Sequence, residues 1–174
     1  MMMSPGLRKF AITVHVTTSV GWLGAVVAFL ALAVAGLASH NPRFAAAAYP
    51  AMSLTTWFVI VPLSFISLLS GVVQALGTTW GLFRHYWVLI KLLITAVATL
   101  VLLVHTQPID HMARAATEST LAMADLVRTR VQLVVDAALA LVILVVATTL
   151  SMYKPKGLTK YGHRKVAGAA PGAQ

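Results

Sequence analysis

Four long apolar stretches, separated by short segments that hold almost all of the charge, constrain this chain more than any other feature. They cover residues 10–38, 52–78, 87–104 and 131–152. A helix needs about 20 residues to cross a hydrocarbon core of about 30 Å, and each stretch is near or above that length. Backbone groups in lipid need partners within their segment or in a closed barrel, and these stretches lack the two-residue alternation of barrel strands. The sequence therefore predicts an all-α membrane protein, a bundle of four transmembrane helices.

The composition fits a lipid environment and a single domain. Hydrophobic residues make up 59% of the 174 residues and charged residues 10%, with a mean hydropathy of +0.87. Soluble domains carry about 25% charged residues. The four spans and their connections use residues 1–153, whereas the basic segment 154–174 has too few apolar side chains for a core. We therefore predict one transmembrane domain followed by a disordered tail.

Three further features exclude classes of protein. The first apolar stretch is longer than the core of about 7–15 residues in a signal peptide, so we interpret it as a retained helix. The chain has no cysteine, which excludes disulfides and thiolate metal sites. The sequence contains no nucleophile triad, phosphate loop or zinc-hydrolase motif, so we do not expect an ordinary enzyme and assign no catalytic residue.

The net charge of +9 is distributed unevenly along the predicted bundle. Four spans place both termini on one side, which holds eight cations and no acidic residue: Arg8, Lys9, Arg84, Lys154, Lys156, Lys160, Arg164 and Lys165. By the positive-inside rule this side is cytoplasmic. The tail's cations can attract anionic lipids at about 1 kcal/mol each. Nucleic-acid binding is not expected, because no folded basic module accompanies the charge.

The connections contain prolines that bear on the predicted helices. Pro50 suits the first turn of the second helix. Pro62 lies inside that helix, where the lost backbone hydrogen bond predicts a kink. The third connection begins with Pro108 and Asp110 and carries charged residues at helical spacing. We interpret residues 110–128 as an amphipathic outer segment, either a short helix or an outward extension of the fourth span.

Polar side chains inside the spans are the strongest functional signal, because an ionisable group at bilayer depth costs at least about 2.5–3.5 kcal/mol unless it faces protein or water. Lys91 lies about 10 Å along its helix from the cytoplasmic edge, and each of the other helices supplies a polar group at similar depth. We predict a polar ligand-binding pocket in the cytoplasmic half, lined by His15, Gln74, Lys91, Thr95 and Thr148. Alternatively, Lys91 snorkels to the headgroups and His15 is a hydrogen-bonded packing residue.

A second polar group lies at the opposite edge of the predicted membrane and comprises His40, His105, His111 and Asp136. Imidazole and carboxylate ligands suit copper or another divalent ion, so these four residues form the predicted metal site. Interfacial histidines, with Asp136 paired to Arg130 or His105, explain the same residues without a metal. Ligation of haem b by two histidines is a third interpretation. The simplest interpretation is that the protein binds no cofactor.

Three segments of the sequence carry a family resemblance. They are His15-Val-Thr-Thr-Ser-Val-Gly-Trp-Leu-Gly24, Ser70-Gly-Val-Val-Gln-Ala-Leu-Gly77 and Trp87-Val-Leu-Ile-Lys91. They resemble segments of small bacterial integral membrane proteins classified as a domain of unknown function. They are also distantly similar to the membrane helices of copper-resistance D-type proteins. The resemblance covers about residues 10–152, and it implies a four-helix protein of unassigned activity in the first case and copper handling in the second. We therefore predict a protein of the bacterial inner membrane.

Three functional hypotheses follow from these patterns. The first is binding or transport of a small molecule or proton in the polar pocket, with Lys91 holding an anionic group or exchanging a proton. The second is a noncatalytic helper subunit that packs against a larger membrane complex, or against a second copy, through faces of small residues. The third is copper or haem handling through the histidines.

Overall fold

The computed structural model describes residues 3–77, 85–118, 127–153 and 159, and their regular structure is helical. Four long helices follow one another along the chain: α1 (Pro5–Ala38), α2 (Pro42–Gly77), α3 (Tyr86–Glu118) and α4 (Val127–Tyr153). Each contains a stretch that is long and apolar enough to cross a membrane. The described part of the chain is therefore all-helical, and its four candidate spans indicate a multi-pass membrane protein, as the hydropathy pattern predicts. Apart from Thr159, the tail lies outside the described residues.

The second helix begins earlier than the hydropathy pattern indicates. The side-chain oxygen of Asn41 accepts hydrogen bonds from two backbone N–H groups of the next turn, and Pro42 occupies the first helical position. Both features start a helix, and the alanine-rich run that follows has the highest helix propensity. Pro50, which we expected in the first turn, lies inside α2 instead. Residues 42–51, which connect the first two apolar stretches, are thus the first part of α2.

Immediately before Pro62, where we predict a kink, α2 contains a π-helical turn. Residues Thr56–Ile60 adopt this wider turn, and the N–H of Val61 donates to the carbonyl of Thr56, five residues back. Proline has no N–H, and its ring crowds the carbonyl four residues earlier, which here belongs to Phe58. A wider turn just before the proline relieves that crowding. We therefore attribute the π turn to Pro62.

The third helix is longer than its apolar stretch. α3 continues through Pro108, and beyond it the carboxylate of Asp110 accepts hydrogen bonds from Ser53 and Trp57 of α2. These bonds fix the turn after the proline against a neighbouring helix. Within the predicted 110–128 segment, residues 110–118 are consequently the end of α3, and residues 127 and 128 belong to the first turn of α4. The remainder lies outside the described residues.

The four helices form a ring in chain order. α1 packs against α2 and α4, and α3 packs against the same two helices, so α1 and α3 lie on one diagonal. We call the end at which α1 and α3 begin the terminal end, and the other the distal end. At the terminal end the N–H of Met3 donates to the carbonyl of Gly77. The largest fully buried side chains, Tyr49, Met52 and Met112, lie toward the distal end.

Candidate functional site

Two of the predicted pocket residues meet across the diagonal of the ring, in the terminal half. Nζ of Lys91 on α3 lies 3.3 Å from Nε2 of His15 on α1. Nδ1 of the same imidazole lies 3.0 Å from the carbonyl oxygen of Ser67 and 3.1 Å from Oγ of Ser70, both on α2. A carbonyl oxygen only accepts, so Nδ1 is the donor. Nε2 of the neutral ring is then an acceptor, and Lys91 donates to it.

The close approach of His15 to α2 depends on a glycine. A Cβ atom at Gly71 would lie 3.1 Å from Cε1 of the imidazole and 3.6 Å from Nδ1. Beside this contact the hydroxyls of Ser19 and Ser67 lie 2.7 Å apart and link α1 to α2. The serines and the glycine thus hold the ring so that Nε2 points toward Lys91. Small residues such as these allow the backbones of neighbouring membrane helices to approach closely.

The other predicted pocket residues are bonded differently. Nε2 of Gln74 donates to the carbonyl of Ala11 at 2.9 Å, which joins α2 to α1. The hydroxyl of Thr95 donates to the carbonyl of Lys91, and that of Thr148 donates to the carbonyl of Leu144, each within its own helix. Such back-bonding uses the single hydroxyl hydrogen. Both threonines therefore keep lone pairs but have no free donor.

A cavity of about 300 Å³ lies between the helices at this level. Four of the five predicted pocket residues line it, whereas Gln74 lies outside the lining. The polar side chains that line the cavity are His15, Ser19, Ser67, Lys91, Thr95, Thr148 and Ser151. An ammonium group beside an imidazole, in a space of this size, can hold a small anion or exchange a proton.

Of the four predicted metal ligands, the structure brings two together at the distal level. Nε2 of His105 lies 3.2 Å from Oδ2 of Asp136, and Nδ1 of His105 donates to the carbonyl of Val101 at 2.8 Å. His40 and His111 are exposed. Within the part of the chain that the structure describes, no three His, Asp or Glu side chains are grouped so that they could hold a metal ion. The structure thus presents a histidine–carboxylate pair here rather than a four-residue cluster.

The sequence-based site omitted the residues that orient His15. Ser67 and Ser70 carry the acceptors for its Nδ1, and Ser19 bonds to Ser67. A signal for Ser67 was present, because Ser67, Gly71 and Gln74 follow one another at steps of three and four and share a face of α2. Ser70 lies at the same steps of three and four from Ser67 and Gln74, and Ser19 follows His15 by four residues, so each shares a helix face with a predicted site residue. Their role follows from the rotation of α1 and α2 about their axes.

The comparisons with known proteins leave the family open. No family model matches the chain, and neither a curated protein nor a solved structure matches it. The resemblance to copper-resistance D-type proteins therefore has no support from these comparisons. The hydropathy and the fold show a membrane protein with four long apolar helices.

Proposed function

We propose that this chain is a membrane protein that binds and transports a small anionic solute, with Lys91 and His15 as the binding groups. The observation that carries the proposal is the contact between Lys91 Nζ and His15 Nε2 inside the cavity between the helices. A cation within an apolar span is costly unless it meets protein or water. A cation that lies beside a cavity within a span is the pattern expected of a solute pathway.

The hydrogen bonds around the cavity favour an anion over a neutral solute. Thr95 and Thr148 have given their hydroxyl hydrogens to their own helices, and Nδ1 of His15 donates to Ser67. The ammonium group of Lys91 carries three hydrogens, and one of them goes to His15. The remaining donors of Lys91 are the strongest available to a solute, and charge-assisted bonds to an anion are about twice as strong as neutral ones.

Proton exchange is the second candidate, and the same contact favours it. Lys91 and His15 present two nitrogen bases 3.3 Å apart, so that one proton can be shared between them. Proteoliposomes that contain a pH-sensitive dye distinguish the two candidates. A proton carrier moves protons under a membrane potential without added anion, whereas an anion site requires the anion.

The test of the anion site is stabilisation of the purified protein by salts. Sodium chloride, nitrate, acetate and phosphate are compared at equal ionic strength, and the thermal midpoint is measured in detergent. A ligand whose free concentration is 100 times its Kd stabilises the folded state by about 2.7 kcal/mol. We expect at least one anion to raise the midpoint and Lys91→Met to abolish that rise.

The matched control is Lys9→Met, which removes an exposed cation from the first turns of α1. This variant should respond to the anion as the parent does, because Lys9 lies outside the cavity lining. If Lys91→Met keeps the full anion effect, or if the parent responds to none of the four salts, the proposed anion site is wrong.

A further inference from the structure

A second cavity lies beside the first, toward the distal end, and has a different chemical character. Its volume is about 420 Å³, and it extends along α3 and α4. Its lining is almost entirely apolar and includes Trp22, Phe29, Ala98, Leu102, Leu133 and Ala140. Trp22 and Leu144 line both cavities, so the two spaces adjoin, but Lys91 does not line the second. The ligand of this second cavity therefore does not depend on the proposed anion site.

The polar end of this cavity consists of His105 and Asp136. Nε2 of His105 lies 3.2 Å from Oδ2 of Asp136. This carboxylate oxygen is shielded from solvent, yet it receives no hydrogen bond of standard geometry from the described residues. A buried acceptor without a donor is unfavourable, and more so when it is charged. The pair therefore provides an acceptor at one end of an otherwise apolar space.

The cavity opens toward the hydrocarbon phase rather than toward water. Several of its lining residues, Val97 and Val101 on α3 and Leu139 and Val142 on α4, also lie on the outer surface of the bundle. A molecule dissolved in the bilayer could pass between these two helices without crossing an aqueous layer. The apolar lining would hold a hydrocarbon group through burial of apolar surface.

We propose that this cavity binds a lipid-soluble alcohol, with its hydrocarbon part along α3 and α4 and its hydroxyl at His105 and Asp136. A hydroxyl both donates and accepts. It can therefore donate to Oδ2 of Asp136, while its oxygen stays able to accept a hydrogen from His105 when Nε2 carries one. An ether or a ketone can only accept a hydrogen bond, and a hydrocarbon can neither donate nor accept one. None of these compounds can therefore donate to the carboxylate oxygen.

Three probes of similar size test the role of the hydroxyl. Tritiated farnesol is bound to the full-length protein in detergent micelles, and farnesyl methyl ether and farnesene compete with it. We expect saturable binding of one farnesol per chain. We also expect the ether and the hydrocarbon to compete at least about tenfold more weakly, since a hydrogen bond to a charged group is lost. Replacement of the acceptor by Asp136→Leu should weaken farnesol binding by a similar factor.

Matched phenylalanine substitutions test the location. Ala98→Phe fills the cavity and should abolish farnesol binding, and Ala140→Phe provides a second filling variant should the first fail to fold. Val104→Phe places the same ring on the outer face of α3, where the residue is 69% exposed, and should leave binding unchanged. Size-exclusion profiles establish that each variant is folded. Equal competition by farnesol and farnesene, or unchanged binding in folded cavity-filling variants, would overturn the proposal.

Discussion

At the scale of single residues, the polar groups inside this bundle differ in whether they bond within their own helix or across to another. The hydroxyls of Thr18, Thr95 and Thr148 donate to carbonyls of their own helices, so they add no link between helices. His15 and Lys91, in contrast, join α1, α2 and α3. The arrangement of the terminal half therefore depends on a few side chains and on the small residues beside them.

Gly71→Ala should destabilise the protein by about 1 kcal/mol, because overpacking costs about 1–3 kcal/mol and alanine returns about 0.5–1 kcal/mol in a helix. The new methyl group would lie 3.1 Å from Cε1 of His15 and would displace the ring from Ser67. Unfolding by sodium dodecyl sulfate in mixed micelles measures the free energy.

The control for this substitution is Gly24→Ala on α1. No atom lies within 4 Å of a Cβ built at Gly24, and the residue is exposed on the lipid-facing side. Gly24→Ala should therefore stabilise the protein by about 0.5–1 kcal/mol. Equal effects of the two substitutions would show that Gly71 does not set the distance between α2 and His15.

At the scale of elements, the distal end of α1 is completed by a residue from another helix. The last carbonyls of a helix have no partner within it. Arg130, in the first turns of α4, donates to the carbonyl of Gly36 and, at 2.6 Å, to the hydroxyl of Tyr49. A cation at this position also interacts favourably with the negative end of the helix dipole. Arg130 thus joins α1, α2 and α4 at the distal end.

Arg130→Met should lower the free energy of unfolding by about 2 kcal/mol, since it removes charged hydrogen bonds and leaves buried acceptors unpaired. Arg128→Met, two residues earlier, is the matched control because Arg128 is exposed. Its effect should stay within about 0.5 kcal/mol. The same mixed-micelle titration compares the two variants, and equal losses would contradict the role given to Arg130.

At the scale of the whole molecule, the outer surface of the ring is apolar. Large side chains such as Phe58, Leu93 and Val104 are exposed to more than half of their area. A monomeric soluble protein rarely shows apolar patches of this extent, whereas a bilayer covers them. This surface accounts for contact with lipid. Association with a larger complex or with a second copy stays a prediction, as do attraction of the basic tail to anionic lipids and residence in a bacterial inner membrane.

The orientation predicted by the positive-inside rule can be tested with cysteine labelling, because the chain has no cysteine of its own. His40→Cys changes an exposed residue at the distal end, and Ala173→Cys changes the tail. In intact bacterial spheroplasts an impermeant maleimide should label only the His40→Cys variant. After lysis both variants should react. Labelling of Ala173→Cys in intact cells would reverse the predicted orientation.

The depth of the site residues within the bundle could be predicted from the sequence, whereas the direction in which their side chains point could not. The common depth of His15 and Lys91 follows from counting residues along the helices, and their contact in the structure agrees with it. Gln74 has the same depth but bonds to the backbone of α1 instead of lining the cavity. The depth of a side chain depends only on its position along its own helix. The direction in which it points depends on how that helix is rotated in the bundle.

The sequence by itself determined that the chain is helical, that it has four spans and which polar residues lie within them. These properties are local, since a backbone in lipid must satisfy its own hydrogen bonds over about 20 residues. Only the tertiary structure decided that α1 and α3 meet through His15 and Lys91 and that His105 faces Asp136. The physical reason is that lipid and protein core are both apolar. Hydropathy therefore does not specify which face of a helix points inward, and packing of small and polar side chains does.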